Sequence, residues 1–140
     1  MTVIEGTNMV CGRLASPIAK RLLNGERIEI VNAEKIVFTG TREGIFEKIV
    51  RRREGSVKGN PHQGPKYPRV PDLLVKRVVR GMLPWKMSSG KAAYKNLRVH
   101  IGVPVELKDA KIERIEGAAN KLEKGFLTVG EISRSLGAKW

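Results

Sequence analysis

The sequence predicts an α/β domain built on a parallel sheet that is covered on both faces. Two observations carry this. Short β-branched runs and stretches of four-residue apolar spacing follow the order strand, helix, strand, helix, helices, strand. The length, 140 residues, is that of one ordinary domain, and a 41% hydrophobic content can supply its core. No internal repeat or low-complexity segment argues for a second unit.

Val3 and Ile4 open the chain with a short apolar run that reads as a strand. Between residues 13 and 24, Leu14, Ile18 and Leu22, with Ala15, Ala19 and Leu23, recur every four positions and predict an amphipathic helix. Gly25 is placed to stop it. Pro17 leaves two readings open: Ser16 caps a helix that begins at Pro17, or a longer helix bends there. Residues 28–31 and 36–39 then read as two strands. REGIFEKIVRRRE returns to helical spacing through Ile45, Phe46, Ile49 and Val50. It ends on Arg51, Arg52 and Arg53, where cations suit the negative end of the helix dipole.

Residues 55–71, GSVKGNPHQGPKYPRVP, hold four prolines and three glycines with no apolar periodicity. They predict a long basic Pro/Gly loop carrying Lys58, Lys66 and Arg69 beside His62 and Tyr67. From 55 to 69, Val57 is the one large apolar residue besides Tyr67. That is too little burial to offset the roughly 1–2 kcal/mol per residue that fixing a backbone costs. The loop is therefore expected to become ordered on a negatively charged partner.

Pro71 opens the next helix, whose apolar stripe is Leu74, Val75, Val78, Val79 and Met82, with Lys76, Arg77 and Arg80 on the other face. Met82 and Leu83 are expected to anchor the RGMLPWK segment to the core, and Gly81 to break or bend the helix before it. SSGKAAYKN reads as a short helix with Ser88 or Ser89 as N-cap and Lys91 and Lys95 one turn apart. RVHIG alternates as a strand. Thr128 and Glu131 have capping-box spacing ahead of Ile132 and Leu136, and Gly137 ends that helix.

The charge is segregated. The chain carries 27 Lys+Arg against 14 Asp+Glu, a net +13. Residues 42–100 hold 15 of these cations and 4 of the carboxylates, whereas each flanking segment is nearly balanced. Solvation does not require such an arrangement; nucleic acid or an anionic membrane face would. No run approaches the ~20 apolar residues of a spanning helix, and the N-terminus lacks a basic stretch followed by an apolar one. Cys11, the lone cysteine, excludes an internal disulfide or a CxxC motif and reads as a small buried residue in a reduced, cytosolic protein.

Enzymatic readings fare poorly. Gly59 and Gly64 have P-loop spacing, but Pro65 removes an N–H that should cradle phosphate, and Tyr67 cannot replace the Mg²⁺-binding hydroxyl. His62 and His100 lack an acidic or cysteine neighbour at ligand spacing. His62 reads as a phosphate donor and His100 as a structural strand residue. No metal, cofactor, small-molecule substrate or catalysis is expected. Three basic elements in succession point instead to an irregular RNA surface, because no helix-turn-helix or zinc pattern is present. The candidate RNA-binding residues are Arg51, Arg52, Arg53, Lys58, Asn60, His62, Lys66, Tyr67, Arg69, Lys76, Arg77, Arg80, Lys86, Lys91 and Lys95.

VCGRLASPIAKRLLNGERIEIVNAEK, NPHQGPKYPR and RGMLPWKMSSGKAAYKNLRVHIGVP together resemble the L-thirteen family of large-subunit ribosomal proteins. GPKYPRVPD and the compact length are similar to archaeal and eukaryotic members, and the resemblance is to the archaeal type. The resemblance spans about residues 3–107, and the tail from 108 adds little to it. It implies a single domain over residues 1–140: a three-layer α/β/α fold with a four-stranded parallel sheet, a basic RNA-binding segment at 42–100 and a variable tail. It further implies a structural constituent of the large ribosomal subunit in the cytoplasm, which binds large-subunit ribosomal RNA beside neighbouring ribosomal proteins and supports assembly. It implies no catalysis and no cofactor. An extra-ribosomal RNA-binding translational regulator is the alternative, since one basic face would serve both. Arg80, Gly81, Met82, Leu83 and Pro84 stand as in the family, and Arg80 and Lys86 are expected to face RNA. Trp85 falls where members vary, and either stacks on a base or packs.

Overall fold

The computed structural model describes residues 1–55, 59–60 and 62–140. β1 (Thr2–Glu5) leads through α1 (Cys11–Leu23) to β2 (Ile28–Val31), which lies parallel to it with Ile4 opposite Ile30. α1 runs unbroken through Pro17, so the longer-helix reading holds; the carbonyl of Arg13 simply loses its usual donor there. Gly25 follows at φ +89°, the left-handed turn that only glycine adopts freely.

After β3 (Val37–Thr39) come α2 (Arg42–Glu54), α3 (Pro71–Gly81), α4 (Ser88–Lys95) and β4 (Leu97–Val99). The expected strand RVHIG is thus shifted toward its N-terminal side. Backbone pairing persists beyond it, with the His100 amide donating to Ile30 O at 2.8 Å. β5 (Ile112–Glu113), β6 (Phe126–Thr128) and α5 (Val129–Ser135) complete the chain. The four-stranded sheet has the order β4-β2-β1-β5 and is parallel throughout. β3 does not join it. It pairs antiparallel with β6 in a separate two-stranded sheet.

Successive residues of a strand face opposite ways, and both faces of this sheet are buried. Ile4, Ile28, Ile30 and Leu97 join Leu14, Ile18, Leu22, Leu74, Val75 and Val79 in the main core beneath α1 and α3. Val3 and Val31 face the other way and meet Leu107, Val103 and Ala110. The second outer layer is therefore thin, a single short helical turn (Val105–Leu107) and its flanks. Cys11 is 1% exposed, and burial pushes its thiol up to about 12. The tail is integral to the fold: Val129 and Ile132 are fully buried, and Thr128 and Glu131 form the expected reciprocal capping box.

Two local expectations are corrected. Met82 is 42% exposed, because α3 ends at Gly81 and the 3.6-residue period no longer applies; Leu83, at 6%, takes the inward place. Neither Ser88 nor Ser89 caps α4. Met87 holds the N-cap position with no side-chain cap, and its own amide closes a turn onto Pro84 O at 3.0 Å. Gly90 explains the tight join, since a Cβ there would lie 2.2 Å from that same carbonyl oxygen. His100 lies just past β4, its Nε2 2.8 Å from Glu29 Oε2, which fits the structural role assigned to it.

Candidate nucleic-acid interface

The last turn of α2 presents Arg51, Arg52 and Arg53, and α3 crosses nearby with Lys76, Arg77 and Arg80. These side chains are braced, and mostly by something other than acid. The Arg52 and Arg77 guanidinium carbons lie 6.0 and 5.9 Å from the Tyr67 ring centre. Lys76 Nζ is 5.1 Å from the centre of Tyr94, and the Arg80 guanidinium carbon is 4.0 Å from that of Trp85. Trp85 in turn meets Tyr94 edge to face at 5.1 Å and 87°. Burial raises the Tyr94 hydroxyl above its ordinary range, opposed by the charges of Arg80 and Arg77, so the ring stays neutral.

Aromatic bracing restrains a cation without cancelling its charge. Among the described residues, Arg51 alone of the candidate cations pairs with a carboxylate, Glu47 at 2.6 Å. Both partners are well exposed, so the pair is weak. The remaining charge is available to an outside anion.

The loop's C-terminal end is tied to the tail. Ser133, fully buried on α5, donates its hydroxyl to Arg69 O at 2.6 Å and accepts from Trp140 Nε1 at 2.9 Å. Arg53 Nη1 reaches Leu136 O at 3.4 Å, so the tail also holds the end of α2. Further up the loop, Asn60 Oδ1 accepts from the His62 amide at 3.1 Å and Asn60 O from Gln63 at 3.0 Å. Asn60 thus serves a turn, while His62, Lys66 and Arg69 are exposed and Tyr67 packs half-buried against the core. Lys58 lies outside the described residues, as do Ser56, Val57 and Pro61 of the same segment expected to order on a partner.

The candidates form groups rather than one patch. Arg51, Arg52, Tyr67 and Arg77 line a cleft of about 560 Å³ between α2 and α3. Arg77 and Arg80 line a neighbouring one of about 270 Å³ with Trp85. Lys86 and Lys91 are exposed, on the segment before α4 and on α4 itself. Lys95 stands apart, in a cleft of about 340 Å³ with Arg27, Glu29 and Arg98 beside the β2–β4 edge. The braces Tyr94 and Trp85 were not among the candidates. Their signal was compositional: both tyrosines and Trp85 fall within the basic segment 42–100.

The model of the family described as Ribosomal protein L13 matches residues 1–106. The chain is 50% identical to the large ribosomal subunit protein uL13 of Archaeoglobus fulgidus, over 97% of this chain and 87% of the relative. It is 45% identical to the protein of that name from Methanosphaera stadtmanae, over 100% and 99% of the two chains. For the Methanocaldococcus jannaschii protein the identity is 42% over the full length of both. The similarity therefore continues through the tail that the sequence motifs left unsupported. With the family model matching residues 1–106 and these relatives aligned over 97–100% of its length, the chain belongs to the L13 family of ribosomal proteins.

Proposed function

We propose that this protein is a structural constituent of the large ribosomal subunit in the cytoplasm, where it binds large-subunit ribosomal RNA and supports assembly. The relatives above carry the name of that subunit, and the reading extends their role to this chain. One observation from the structure supports it most directly. Of the six candidate cations on α2 and α3, a single one is paired with a carboxylate among the described residues. Uncancelled charge held in place is what a phosphate backbone selects.

On this reading Arg51, Arg52, Arg53, Lys76, Arg77 and Arg80 form the centre of the contact. Lys58, Asn60, His62, Lys66, Tyr67 and Arg69 extend it along the loop, Lys86 on the segment before α4, and Lys91 and Lys95 along α4. The chain works as one domain, holds RNA and neighbouring ribosomal proteins in place, and turns over no substrate. The extra-ribosomal regulator draws no support from the named relatives. Co-sedimentation tests the assignment. In cell extract the protein should travel with large subunits and be stripped from them by high salt. Recovery with free proteins at low salt would contradict it.

A further inference from the structure

We infer that the cleft between the end of α2 and α3 takes one unstacked nucleobase of the bound RNA, an inference that rests on the RNA-binding reading above. A surface that meets only phosphates needs cations and no apolar floor. This cleft has both. Tyr67, Val78 and Met82 give it apolar surface, and Arg51, Arg52 and Arg77 surround that surface with positive charge. Met82 is 42% exposed in the middle of the most basic part of the chain. A base turned out of its helix offers the matching chemistry, a flat apolar face joined to a phosphate on each side. An apolar peptide would leave Arg52 and Arg77, which have no carboxylate partner among the described residues, without counter-charge.

Gly81 sharpens the assignment. It closes α3 and lines both this cleft and the neighbouring one beside Trp85. Its backbone is not left-handed, and a Cβ there would meet no atom of the described residues within 4 Å. Among those residues neither conformation nor packing calls for glycine at a position where the residue weakens a helix. The room it leaves is room at the cleft.

The same geometry supplies the test. Gly81→Phe should fold normally and fill the cleft without changing any charge, and Gly81→Ala should narrow it by one methyl group. Affinity for purified large-subunit ribosomal RNA is measured by filter binding across a salt series, with thermal midpoints as the folding control. The expected result is a loss on the order of 10- to 100-fold for Gly81→Phe, a smaller loss for Gly81→Ala, and a salt slope equal to that of the wild type for both. Unchanged affinity for Gly81→Phe would overturn the inference, leaving the cleft to a protein or to solvent while RNA binding stands. A weaker affinity accompanied by a shallower salt slope would overturn it too, because the cleft would then hold backbone phosphate. Wild-type protein that fails to bind the RNA would remove the RNA-binding reading and this inference together.

Discussion

Arg80 shows how a single side chain is prepared for an anion. Its guanidinium carbon sits 4.0 Å from the centre of the Trp85 ring, a distance at which the ring's negative face restrains the cation while leaving its charge intact. Trp85→Leu removes the brace and no charge. RNA affinity is expected to fall about 2- to 5-fold, the value of an exposed cation–π interaction, with the salt slope unchanged. Filter binding against salt checks this; a lower thermal midpoint with wild-type affinity would assign Trp85 to packing alone. The segment also marks where sequence periodicity stops being informative. Met82 fits the helical stripe by count, but the helix ends one residue earlier and Leu83 turns inward instead. Counting along a helix predicts a buried face only while the helix lasts.

At the scale of elements, the join between α3 and α4 depends on Gly90. A Cβ at that position would stand 2.2 Å from Pro84 O and 2.6 Å from Pro84 C, both backbone atoms that move only with the whole segment. Gly90→Ala should destabilise the protein by ~1–3 kcal/mol, as overpacking does elsewhere, and thermal denaturation would show it. An unchanged midpoint would mean the two segments are not so closely joined. A second join lies at the sheet edge, where Arg21 of α1 donates to both carboxylate oxygens of Glu113 on β5 at 2.7 and 2.9 Å. That hydrogen bond holds the Glu113 carboxyl below the usual carboxylate range. Its contribution is therefore present above the unfolded carboxylate's pKa and disappears as pH falls through the lowered folded value. The pair is partly exposed, so Glu113→Gln should cost less than about 1 kcal/mol at neutral pH. Its stability curve should meet that of the wild type in acid; a gap that persists there would contradict the linkage. Most elements were legible as apolar rhythm: α1, α2, α3, β2 and the capping box of α5 all stand close to where the spacing predicts. β5 was not, because two residues carry no period. The pairing of β3 with β6 was not, because a three-residue strand does not name its partner.

Over the whole molecule, the excess positive charge is confined to one stretch of the chain. The segment 42–100 holds 15 cations and 4 carboxylates, while much of the sheet, from β1 and β2 to β5, comes from the balanced ends. That segregation points to a basic face from composition alone. What composition could not convey was order within the face. Arg52 of α2 and Arg77 of α3 converge on Tyr67, Lys76 and Arg80 lean on Tyr94 and Trp85, and Lys95 is turned to a different cleft. Those relations are fixed by how α3 packs on α1 and α5, elements remote from it in sequence.

The central claim is that this face binds ribosomal RNA through its phosphates, and the salt dependence of affinity for large-subunit ribosomal RNA tests it most directly. With roughly six to ten phosphates neutralised, affinity should fall about 10³–10⁵-fold between about 50 and 200 mM salt. Replacing Lys76, Arg77 and Arg80 together by Ala should make that slope shallower, by about one for each phosphate no longer neutralised. Affinity that barely changes over the same range, or a slope indifferent to the three substitutions, would contradict the claim.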